Sequence, residues 1–132
     1  AGPDFTADML DSMSAEAREA IERDGVWQGT NDLTGEGVPI TRALIEDGNQ
    51  HLLLDAEIAL ECPVRLVQGV ADDDVPWPTA LRISERLRSN DVVVHLVKDG
   101  DHRLWRERDL ARVTGAIDEL SALAGFDSKT RG

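Results

Sequence analysis

The chain has 132 residues, 41% of them hydrophobic and 30% charged, the balance of one soluble globular domain without room for a second substantial core. Twenty-six acidic against fourteen basic side chains leave a formal charge of −12, a field that repels nucleic-acid phosphates and anionic lipid surfaces. Cys62 is the lone cysteine, which excludes an internal disulfide and a multi-cysteine metal site and fits a reducing compartment.

The opening AGPDFTADMLDSM has neither a basic leader region nor an apolar one, and no apolar run reaches membrane-spanning length. A cytoplasmic protein without a membrane span is expected. Residues 14 to 24 predict a helix, with Ser14 as N-cap, Glu16 in the first turn and Gly25 as the stop. Residues 28 to 38, dense in Gly, Asn, Asp and Thr, predict an irregular loop. A second helix is expected from Pro39, where Ile40, Ala43 and Leu44 fall at helical spacing ahead of Gly48. Phe5, Met9, Leu10, Met13 and Trp27 are apolar enough either to roof a pocket or to form the core of this first portion.

Past Cys62, taken as a packing position beside Pro63, VRLVQ at 64 to 68 predicts a strand. The segment PWPTALRISERLRS predicts a helix with Ala80, Ile83 and Leu87 on one face. VVVHLVK at 92 to 98 is a second strand, nearly apolar throughout, as strands covered on both faces are. Residues 107 to 124 predict a long helix with Leu110, Val113, Ile117, Leu120 and Ala124 along one stripe, and the last residues a loose tail. Strand, helix, strand, helix is the unit of a parallel α/β sheet, present here once, so the chain reads as part of a larger sheet.

In an open α/β sheet, functional groups gather beyond the carboxyl ends of the strands. GVADDDVP follows the first strand and KDGDHRL the second, which brings Asp72 and His102 to adjacent loops. A carboxylate there can accept the imidazole Nδ1–H, fix the tautomer and leave Nε2 free to face a nucleophile. Clustered aspartates in a loop serve equally as turn-formers and helix caps, and a lone histidine is often structural. Two other readings stay open: a receiver-like or Mg²⁺-binding domain built on the aspartates, and a non-catalytic piece that associates through its exposed sheet edge.

The strings CPVRLVQGVADDDVPWPTALRISERL and VVVHLVKDGDHRL resemble the last third of an α/β-hydrolase. In that family the seventh core strand ends in a turn with an Asp three positions after a Gly and four before a Pro, and Asp72 meets both spacings. The eighth ends in a Gly-Asp-His turn, matched by Gly100-Asp101-His102. Gln68 stands where a histidine before the Gly is common. The resemblance, to small serine esterases and acyl thioesterases, implies a partial α/β-hydrolase fold: two parallel strands with flanking helices at 59–124, preceded by a helical cap at 1–58, then a tail at 125–132. It implies Asp72 and His102 as catalytic acid and base, no cofactor or metal, and a small ester or thioester substrate. The serine elbow G-x-S-x-G is absent: the serines, at 12, 14, 84, 89, 121 and 128, lie in cap, helix or tail contexts. The isolated chain is therefore expected to be inactive, its partner either the missing N-terminal half of the core or a second copy.

Overall fold

The computed structural model describes residues 2–30 and 35–125. The middle of the expected 28–38 loop and most of the expected tail, Ser128 included, lie outside them. The described residues form two compact units, divided between Asp55 and Ala56.

In the first unit, α1 (Phe5–Ser12) precedes α2 (Ala15–Asp24), which is capped as its sequence predicts. Ser14 accepts a hydrogen bond from the Ala17 N–H, and Gly25 takes the left-handed conformation, φ 76°, that closes the helix. The Asp4 carboxylate is buried and reaches across the sequence instead of capping α1, accepting from the backbone N–H groups of Leu53 at 2.7 Å and Leu54 at 3.2 Å. Ala17, Ile21, Ile45 and Leu54 form the small core. Phe5 is exposed, and Met9, Leu10, Met13 and Trp27 are only half-buried, so they supply neither a closed core nor an enclosed roof.

The two ends of the expected irregular loop, 28–30 and 37–38, are instead parts of two paired strands. Strands β1 (Val26–Thr30) and β2 (Gly37–Thr41) pair antiparallel, with Trp27 opposite Ile40 and Gln28 opposite Pro39. An isolated two-stranded ribbon accepts Gly29 and Pro39 because each strand has a free edge, where a missing N–H or side chain costs little. The following helix, α3 (Arg42–Gly48), accordingly starts after Pro39 and Ile40, with the Thr41 side chain accepting from the Leu44 N–H.

The second unit holds a parallel pair, β3 (Val64–Gly69) and β4 (Val92–Val97), in register from Val64 opposite Val92 to Gly69 opposite Val97. Between them runs α4 (Pro78–Arg86), with proline in its first turn where its missing N–H is harmless. It ends earlier than its apolar spacing suggests, because Leu87 bridges to Ile58 and Ile58 exchanges backbone hydrogen bonds with Arg86 and Arg88. Cys62 is exposed, not a packing position.

Helix α5 (Glu107–Leu123) turns Asp109 and Ala116 into the interior, with Val113 and Leu120 half-buried beside them. The expected stripe is displaced by one position at two places, leaving Leu110 and Ile117 exposed. An interior position is taken instead by a charged residue, Asp109, which is fully buried and paired with Arg106 and Arg112 of the same helix and its cap. Strand β4 is likewise not covered on both faces, since Val93 and Leu96 are exposed.

Candidate active site

At the carboxyl ends of β3 and β4 the two loops touch backbone to backbone. The Val70 N–H donates to Val97 O and the Ala71 N–H to Gly100 O, each at 2.9 Å. Glycine is required on both sides: a Cβ at Gly69 would strike the carbonyls of Gly100 and Asp101, and one at Gly100 would come within 3.1 Å of the Gly69 Cα. This close approach sets the separation of the side chains just beyond it.

Asp72 and His102 meet there. The imidazole Nδ1 lies 3.1 Å from each Asp72 carboxylate oxygen, the geometry of an N–H donated to an ionised acid. Asp72 has only 6% of its side chain exposed and is held from several sides. Its Oδ1 accepts from the backbone N–H groups of Asp74 at 2.9 Å and Val75 at 2.8 Å, and its Oδ2 from Gln68 Nε2 at 3.1 Å. Burial pushes the carboxyl up, but the bonds from Val75, His102, Asp74 and Gln68 together outweigh it and hold the group below its ordinary value.

His102 is 43% exposed, and its Nε2 is the ring nitrogen not engaged by Asp72. Its own loop is shaped by Asp101, whose side chain accepts from the N–H groups of Arg103 and Leu104. That tight turn puts Leu104 at φ 48°, a left-handed conformation uncommon outside glycine. Leu104 then lines a cleft of about 200 Å³ with Val67, Gln68, Gly69, Val75, Asp72 and His102. Trp105 does not enter it; the ring is 65% exposed, with the Arg103 guanidinium 5.6 Å from its centroid.

The three aspartates divide sharply. Asp73 is exposed. Asp74 has an oxygen 3.7 Å from His102 Nδ1 but is largely exposed. Potential ligand atoms of Asp72, Asp74 and His102 lie within 4.8 Å of one another, the grouping that a Mg²⁺-site reading requires. The chemistry of that set fits a cation poorly. Both Asp72 oxygens are already occupied by N–H donors, and a metal on this face of the ring would have to displace the Nδ1 proton.

Gln68 was missed as a contributor to the site by spacing alone, because nothing in VRLVQG says that a strand-end amide will turn back to the acid four residues on.

Comparison with known proteins agrees with this architecture. Palmitoyl-protein thioesterase ABHD10, mitochondrial, is 37% identical in Bos taurus and 34% identical in Homo sapiens, each over 84% of this chain and 37% of the relative. Among solved structures, a hydrolase from Agrobacterium vitis S4 superposes with a TM-score of 0.83 at 39% identity, over 89% of this chain and 46% of that one. Alpha/beta hydrolase domain-containing protein 10 from mouse gives a TM-score of 0.81 at 31% identity, over 93% and 50%. No family model matches the chain. The chain thus spans little more than a third of the curated relatives it matches and about half of the solved ones.

One expectation is overturned. The curated relatives carry a mitochondrial designation, which contradicts a cytoplasmic placement. An organelle address resides in a separate receptor-read segment, so domain composition and charge were no guide to it. No helix among the described residues is long and apolar enough to cross a membrane. The parallel strand–helix–strand–helix order and the two solved likenesses lead to one assignment: over the part of the fold that it spans, the chain belongs to the α/β-hydrolase superfamily.

Proposed function

We propose that this chain supplies the acid and the base of a Ser–Asp–His site that hydrolyses thioesters or carboxylic esters. The observation that carries the reading is the buried, multiply bonded Asp72 with His102 Nδ1 3.1 Å from both its oxygens. Asp72 fixes the Nδ1–H tautomer and stabilises the imidazolium; Nε2 is the working base. A serine Oγ gives its proton to Nε2 while attacking the acyl carbonyl, and Nε2 returns that proton to the departing thiol or alcohol. Water then attacks the acyl-serine by the same route, releasing the carboxylic acid and restoring the serine.

The serine and its oxyanion hole come, on this reading, from an N-terminal core half outside these residues, since the sequence contains no G-x-S-x-G. Residues 1–58 serve as the cap and 59–124 as the last strands and helices of the core. Exposed Val93, Leu96, Leu110 and Ile117 are consistent with a surface that other parts of such a core cover. The relatives' name favours a thioester of a long acyl chain as substrate, and mitochondria as the place.

The test is thiol release from a palmitoyl thioester, assayed with the chain alone and with a protein in which it replaces the corresponding half of the mouse relative. The chain alone should release none. The chimera should turn over, and lose turnover with Asp72→Asn or His102→Gln. Hydrolysis by the isolated chain, or a folded chimera indifferent to Asp72→Asn, would defeat the reading.

A further inference from the structure

The amide of Gln68 sits at the pivot of the β3 loop. Its Nε2 lies 2.9 Å from Gly69 O, 3.1 Å from Asp72 Oδ2 and 3.2 Å from Val75 O. All three neighbours are pure acceptors, so the NH₂ end of the amide must face them; the reversed amide would set oxygen against three oxygens. The two amide hydrogens are shared among these three acceptors, so one side chain ties the end of β3 to Val75 and binds the acid enclosed between them.

The two oxygens of Asp72 are held differently. Oδ1 has two backbone donors, which no side-chain substitution removes. Among the described residues Oδ2 has, apart from the imidazole itself, only the Gln68 amide. With Oδ1 as a fixed point, the bond to Oδ2 decides how the carboxylate plane is turned, and hence whether both oxygens can face Nδ1 together.

We infer that Gln68 is a positioning residue of the candidate active site, which orients the Asp72 carboxylate through Oδ2 and thereby holds His102 in its Nδ1–H tautomer. The inference rests on the proposed roles of Asp72 and His102. It goes beyond them by assigning to the strand-end amide a task that backbone donors cannot perform. The hydrogen bond from Gln68 also contributes to keeping the carboxyl ionised, in the same direction as the backbone bonds.

The experiment is ¹⁵N NMR of the histidine-labelled full chain, with the neutral ring observed above its titration. The sequence has three histidines, and His102→Gln identifies the signal of interest. In the parent chain His102 should be predominantly the Nδ1–H tautomer, and Asp72→Asn should abolish that preference. Gln68→Met, which keeps the length of the side chain and removes its donor, should shift the tautomer ratio toward Nε2–H by about tenfold, the scale of one lost charge-assisted hydrogen bond. A Gln68→Met chain with the parent backbone spectrum and an unchanged ratio overturns the inference while leaving the Asp72–His102 reading intact. A parent chain without the Nδ1–H preference overturns that reading as well. If Gln68→Met does not keep the parent fold, Gln68→Asn decides by the same ratio, because it retains a strand-end amide but withdraws it from Asp72 by one methylene.

Discussion

The two ends of the β3–β4 pair both hold buried charge, and they use it differently. At the amino end Arg65, with 4% of its side chain exposed, donates to Asp91 and Glu119 at 2.7 Å each, joining β3 to the start of β4 and to α5. At the carboxyl end Asp72 is equally buried, but its counterpart is an exposed imidazole. A guanidinium keeps its charge at any accessible pH, and the bonds to Glu119 and Asp91 raise its proton affinity further. An imidazole can both accept and release a proton. The amino end is thus built as a fixed strut and the carboxyl end as a group able to cycle, although each relies on a carboxylate fixed by N–H donors.

The largest effect should fall at the carboxyl end. In an assembled site, Asp72→Asn should lower kcat by about 10⁴-fold, because the amide presents the wrong partner to Nδ1 and favours the wrong tautomer. His102→Gln should cost at least as much. Arg65→Met in the same protein should leave kcat of the folded fraction unchanged. A comparable loss of kcat at both ends would show that the distinction between strut and reacting pair is false.

Gly69→Ala tests the contact that sets the site's width. The added methyl would lie 2.6 Å from Asp101 O and closer still to Gly100 O, both backbone atoms that cannot swing aside. Overpacking of this kind costs about 1 to 3 kcal/mol, read as a fall in urea midpoint. The His102 Nδ1–H signal should weaken with it, whereas Arg65→Met should lower Tm and leave that signal alone.

Acid separates the ends along another axis. The hydrogen bond from Arg65 holds Glu119 below the ordinary carboxylate value, against a smaller opposing effect of burial. Asp72 is lowered too, its N–H donors overcoming burial. For a depressed carboxylate the stabilisation is complete above its unfolded value, 4.5 for Glu119 and 3.8 for Asp72, and is lost as pH falls through the lower folded value. The contribution of these two carboxylates to stability should therefore be level from pH 7 down to about 5 and decline below that. The difference in urea midpoint between parent and Asp72→Asn should close in the acid limb. Added salt should weaken the Arg65–Glu119 contribution more, since Glu119 is half exposed.

The comparison also explains which parts of the molecule were legible in the sequence. Helix α2 was readable because Ser14 and Gly25 act locally, within one turn of the ends they cap. Strands β3 and β4 and the meeting of Asp72 with His102 followed from apolar runs punctuated by glycine and from the rule that strand ends carry function. The rest depends on pairings that residue type and spacing do not announce. The hairpin arises by pairing residues 26–30 with 37–41, and α5 buries Asp109, paired with Arg106 and Arg112, where its apolar stripe pointed to Leu110. Arg65 looked like an ordinary strand residue until Asp91 and Glu119, 26 and 54 positions away, closed on it. Gln68 fell between these cases: near its partner in sequence, but aimed by a loop whose shape the sequence does not spell out.

The smallest effects should come from the two neighbours of Asp72, and they bear on why three aspartates stand in a row. Asp74 offers Asp72 its backbone N–H, which Asp74→Asn keeps, and its carboxylate reaches only to 3.7 Å from His102 Nδ1 while 62% exposed. An exposed ion pair contributes about 0.2 to 1 kcal/mol, so Asp74→Asn should change kcat/KM by no more than about fivefold, less in high salt. Asp73→Asn should change it still less. If Asp74→Asn instead matched Asp72→Asn, the imidazole would be held by a shared pair of acids, and the backbone donors that now distinguish residue 72 would have lost their explanatory role. The run of like charge is tolerated because only one member is buried, and that member is surrounded by N–H groups, while the other two face solvent, where repulsion is screened.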